Sequence, residues 1–105
     1  MKKVIDGKSY DTCTAVHVCN LNSPTDNRSD FNWHKTGLYS TQKGSFFVSG
    51  EGGPRSMWAK SVGQNSWSWG KGLRSVNEKE ARDFMEDAGL SEDAFAAVGL
   101  SVEEG

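Results

Sequence analysis

Two cysteines and two histidines, Cys13, His17, Cys19 and His34, stand close together early in the chain and are the types a zinc ion would take. Their spacing argues against it. Cys-x3-His-x-Cys contains no short ligand pair of the Cys-x2-Cys kind. A disulfide fares no better, because six residues span roughly 20 Å on a strand and reach nearly opposite faces of a helix. Free thiols, with no metal and no cofactor, are expected. The run Gly50-Glu51-Gly52-Gly53-Pro54 offers backbone N–H groups to an anion, but it lacks the Lys-Ser/Thr ending and following helix of a phosphate loop. Glu51 would also repel a phosphate, so this run, like Gly70-Lys71-Gly72, reads as a structural bend. No Gly-x-Ser-x-Gly elbow is present, and neither histidine stands in a dyad-like context. A non-enzymatic protein is expected.

Two further sets of residues suit binding. Trp33, Trp58, Trp67 and Trp69 are interleaved with Lys35, Arg55, Lys60, Lys71 and Arg74, which would make a stacking platform for single-stranded nucleic acid. The competing and favoured reading makes the indoles the core of a leucine-poor protein, with one or two partly exposed as partner anchors. Glu78, Glu80, Asp83, Glu86, Asp87, Glu92 and Asp93 form the second set. Taken alone they suit a solvated helix face that complements the helix N-termini. Their concentration leaves open a second use, imitation of DNA phosphates in a basic groove. Residues 1–74 carry ten Lys/Arg against five Asp/Glu, net +5, and residues 75–105 carry two against nine, net −7. The total is −2.

The elements that must position these groups are short. At 105 residues the chain is expected to be one domain, a basic β-rich body (1–74) and an acidic helical part (75–105), burying about 60–65% of its unfolded surface. Lys3-Val4-Ile5, Asp6-Gly7 and Lys8-Ser9-Tyr10 predict a small hairpin. Asp11 or Thr12 is expected to cap one helical turn through Val16, in preference to a strand over 14–21. Residues 20–30 read as an exposed loop, and 31–41 and 45–50 as a hairpin with Phe31, Trp33 and Lys35 on one face. The glycines and proline of 50–54 are expected to end the sheet. Residues 56–60 are ambiguous, and Ser66–Gly70 alternates as a strand with both indoles on one face.

Asn77 with Glu80 forms a capping box, followed by Ala81, Phe84, Met85 and Ala88 at helical spacing and by Gly89 as a stop. Ser91 caps a second helix with Ala94, Phe95 and Val98 inward, stopped by Gly99, and 100–105 are expected to fray. The fold class is therefore α+β: a small antiparallel sheet of three to five strands with one or two C-terminal helices on one face, packed through Phe84, Met85 and Phe95. No apolar run is long enough to span a membrane, and Met-Lys-Lys leads into no secretory signal, so a cytoplasmic location is expected.

The motifs also carry a resemblance. Gly7-Lys8-Ser9-Tyr10-Asp11-Thr12-Cys13-Thr14-Ala15, Leu38-Tyr39, Lys43-Gly44-Ser45-Phe46-Phe47, Gly50-Glu51-Gly52-Gly53-Pro54 and Glu80-Ala81-Arg82 fall in the order seen in small accessory proteins of phages and mobile elements. The chain resembles that family over most of its length, least at 20–30 and 55–65; its two cysteines are not family features. Some members are similar to anti-CRISPR proteins, small non-enzymatic inhibitors of Cas effectors. The resemblance implies a protein acting in the bacterial host cytoplasm, as monomer or homodimer, through contact with a Cas effector. Its acidic helices would enter a Lys/Arg-rich channel and block DNA or PAM recognition. A nucleic-acid-binding accessory module is the alternative.

Overall fold

The computed structural model describes residues 1–21, 23, 25–64 and 66–102. Among them the order is β1 (Lys2–Ile5), β2 (Lys8–Asp11), β3 (Val16–Leu21), β4 (His34–Ser40), β5 (Phe46–Gly52), β6 (Lys60–Gly63), β7 (Ser66–Ser68), β8 (Gly70–Val76), α1 (Glu78–Asp87) and α2 (Glu92–Ala97). The fold is α+β. A four-stranded antiparallel sheet in the order β3-β4-β5-β8 is flanked by the β1–β2 and β6–β7 hairpins, and both helices follow the sheet.

The expected β4–β5 hairpin forms, with Tyr39 opposite Phe47 and Leu38 opposite Val48. Its turn is closed by Thr41, whose hydroxyl accepts from the Ser45 N–H at 3.0 Å, and Gly44 supplies a φ of +84°. The strand bounds differ from expectation at both ends. Residues 31–33 are drawn into a turn because Asp30 competes for their backbone: its carboxylate accepts from Asn32 N–H at 2.8 Å and its carbonyl from Trp33 N–H at 3.1 Å. Phe31 is left exposed. At the other end the sheet does not stop at Gly50. Glycines permit close strand approach there, since a Cβ on Gly50 would lie 2.8 Å from Thr36 Cα and against the Lys35 carbonyl. β5 thus runs to Gly52, opposite His34 on one side and Gly70 on the other.

Four other expectations need correction. Asp11 does organise a turn, accepting Cys13 N–H on its side chain and Ala15 N–H on its carbonyl, but the chain then enters β3 rather than a helix. Pairing with β4, through a bulge between His17 and Cys19, overrides the local signal and takes Asn20 and Leu21 out of the expected loop. Of that loop, Asn22 and Pro24 lie outside the described residues. The strand expected over 66–70 breaks at Trp69 into β7 and β8. Leu100 is not frayed: it is buried, and its N–H reaches the Phe95 carbonyl at 2.9 Å. Residues 103–105 lie outside the described residues.

The sheet buries both faces. Leu38, Phe46 and Val48 pack with Trp58, Ala81, Met85, Phe95 and Leu100 on the helix side. On the other side Phe47 and Leu73 pack with Tyr10 of the β1–β2 hairpin. Tyr39 stacks on Phe47 at 5.1 Å, and Tyr10 meets it edge-on at 5.5 Å. Phe46, Phe47 and Val48 are therefore all buried, where a one-sided sheet would bury only alternate residues.

Candidate nucleic-acid interface and the acidic helix face

β8 is an edge strand, and the segment leading into β6 crosses beside it. Arg74 fixes that crossing by donating from Nη2 to the Met57 carbonyl at 2.6 Å. Gly70 is required at the same place, because any Cβ there would collide with the Trp58 carbonyl. Trp58 is the buried anchor: its indole N–H donates to Thr36 Oγ1 at 2.7 Å, and the Arg74 guanidinium lies 5.4 Å over its ring.

Along this edge runs an open groove of about 510 Å³, lined chiefly by Lys3, Trp58, Lys60, Trp69, Lys71 and Arg74. The side-chain-free backbone of Gly70 and Gly72 forms part of its wall. Four cations line it and, among the described residues, no carboxylate does, although Lys71 stands opposite Glu51 in the β5–β8 register. Trp69 remains 43% exposed. Behind it stands Trp33 at 5.9 Å, and Trp33 in turn carries the Arg28 guanidinium 5.0 Å from its ring centre. Arg28 is tethered to Glu51 at 3.3 Å. Trp69 is thus backed by a train of aromatic and guanidinium contacts.

Of the basic and aromatic set read from the sequence, Trp58, Trp69, Lys60, Lys71 and Arg74 come together here. Lys35 lies in a smaller cleft of about 290 Å³ with Tyr39, Glu51 and Lys71, and Arg55 lines neither cleft. Of the tryptophans expected in the core with one or two partly exposed, Trp58 is buried, Trp33 is half-buried, and Trp67 and Trp69 are exposed. Trp67 sits on β7, which pairs with β6 in a separate two-stranded hairpin outside the central sheet, and Trp69 lies between β7 and β8. Lys3 was missed in the sequence. It reaches the groove because β1 lies against β8, a contact with no local signature.

The seven carboxylates, Glu78, Glu80, Asp83, Glu86, Asp87, Glu92 and Asp93, are all exposed on α1 and α2. Glu80 is occupied in the capping box, accepting from Asn77 N–H at 3.1 Å while Asn77 Oδ1 accepts from Glu80 N–H at 2.8 Å. Glu78 pairs with Arg82 at 3.3 Å. Asp83, Glu86, Asp87, Glu92 and Asp93 have no ion-pair partner among the described residues. Ser91 occupies the N-cap of α2, but only its carbonyl takes part, accepting from Ala94 and Phe95.

The candidate metal ligands are dispersed into local contacts. His17 Nε2 meets Asn20 Oδ1 at 3.0 Å and His34 Nδ1 meets Thr36 Oγ1 at 3.0 Å. Cys13 is exposed, and Cys19 is buried, which pushes its thiol pKa up. No helix among the described residues is long and apolar enough to cross a membrane. No protein-family model matches the chain, and no curated protein or solved structure matches it.

Proposed function

We propose that this protein acts by binding rather than by catalysis, as a nucleic-acid-binding accessory module of a phage or mobile element in the bacterial cytoplasm. The observation that carries the reading is the groove beside β8, lined by Lys3, Lys60, Lys71 and Arg74 together with Trp58 and Trp69 and, among the described residues, by no carboxylate. Cations supply attraction to phosphates at any sequence, and an exposed ring supplies a base-sized apolar surface. The test is electrophoretic mobility shift with mixed-sequence nucleic acid at low salt. Retarded complexes that dissolve on charge reversal at Lys60 and Lys71 are expected. Unshifted nucleic acid at high protein concentration would overturn the reading.

A second reading rests on a different surface. Five carboxylates on two consecutive helices, without an ion-pair partner among the described residues, favour a protein that enters the Lys/Arg-rich channel of a Cas effector and inhibits it by blocking DNA or PAM recognition. Titration of purified effectors tests it. Cleavage lost on addition of the protein and restored by Asp83→Lys with Asp87→Lys supports inhibition, whereas undiminished cleavage across effector types rejects it.

A further inference from the structure

We infer that the β8 groove is built for a single strand, with one base stacked on Trp69 and the flanking phosphates held by Lys60, Lys71, Lys3 and Arg74. The inference rests on the nucleic-acid reading above and narrows it to one ligand class. Three observations carry it. First, the groove has a volume of about 510 Å³ and is bounded on one side by β8 backbone, room for roughly one or two nucleotides. A duplex keeps its bases stacked and would present only its phosphates to such a slot.

Second, the helices and the β6–β7 ribbon are poorly charged to enter a duplex groove, and the cationic β1–β2 ribbon, with Lys2, Lys3 and Lys8 against Asp6 and Asp11, already contributes Lys3 to the lining of this one. Both helices expose carboxylates, and the β6–β7 ribbon brings Lys60 as its single cation among the described residues. Third, the two groove indoles are not equivalent. Trp58 is 5% exposed, hydrogen-bonded to Thr36 and covered by Arg74, so it positions the groove but offers no free face. Trp69 is 43% exposed and backed by Trp33, which holds the ring while leaving surface for a base. Trp67, 58% exposed, lies outside the lining and serves as an internal control.

The experiment is fluorescence anisotropy on the full chain with three probes: a labelled oligo-dT of about 15 nucleotides, a matched duplex, and inorganic polyphosphate as competitor. Trp69→Ala should weaken oligo-dT binding by roughly tenfold or more and leave polyphosphate competition unchanged. Trp69→Phe should retain most of the affinity, and Trp67→Ala should change nothing. Lys60→Ala with Lys71→Ala should weaken all three probes together. Thermal melts of each variant confirm folding, which exposed positions should preserve. Equal affinity for duplex and oligo-dT, or a Trp69→Ala protein that binds oligo-dT like the wild type, overturns the single-strand inference while leaving nucleic-acid binding in place. Failure to bind any of the three probes overturns that broader reading as well.

Discussion

Trp58 and Trp69 are the same residue type eleven positions apart, yet one is core and the other surface. The difference lies in what each indole N–H and ring can reach. Trp58 finds Thr36 Oγ1 of β4, so its polar atom is satisfied in a buried site. Removing the acceptor with Thr36→Val should leave a buried donor unpaired and cost about 1–3 kcal/mol in urea unfolding, whereas Trp58→Ala should cost about 3–5 kcal/mol. Nothing in the sequence around Trp58 distinguishes it from Trp69, because the distinguishing contact is with Thr36 on β4, 22 residues away. The cysteines make a similar pair. Cys13 should react with a disulfide reagent at once, and Cys19 only as the protein unfolds, which thiol titration with and without denaturant will separate. The raised Cys19 pKa gives a signed pH effect. Its contribution is intact below the unfolded thiol's value of about 8.5 and is lost as pH rises toward the folded value, so stability should fall on the alkaline side.

At the level of elements, α1 was the most legible. Its cap, apolar spacing and stop all lie within one local stretch, and Asn77, Ala81, Met85 and Gly89 take the expected places. Asn77→Ala should cost about 1 kcal/mol by chemical denaturation. Glu80→Gln should be nearly neutral because glutamine can complete the box, while Glu80→Lys cannot. Charge reversal of the acidic face is therefore cleaner at Asp83 and Asp87, where no cap is lost.

Strand β8 was the least legible. Its start, Gly70-Lys71-Gly72, has the composition of a loop, and Leu73 is its single buried side chain. Strand status comes instead from the full register against β5, Phe46 with Val76 through Gly52 with Gly70. The same tertiary pairing carried β5 past the glycines and made β3 a strand. Gly50→Val should accordingly destabilise the protein despite valine's strand propensity, because the Lys35 carbonyl and Thr36 occupy the space; a lowered melting temperature is the expected readout.

For the whole molecule, the charge split survives folding as a division of labour between elements. Among the described residues the strands lie within 2–76 and carry the cationic groove, while the helices within 78–97 carry the exposed carboxylates. The split itself was visible in the sequence. The groove was visible only as a list of residue types, since its assembly depends on β1 and the 58–60 segment meeting at one sheet edge. The most direct measurement is the affinity for oligo-dT across a salt series. Four groove cations should give log K against log salt a slope of about −3 on a single strand, reduced by roughly 1.4 when Lys60 and Lys71 are both changed to alanine. A flat salt dependence, or a slope indifferent to that double substitution, would contradict nucleic-acid binding at this groove.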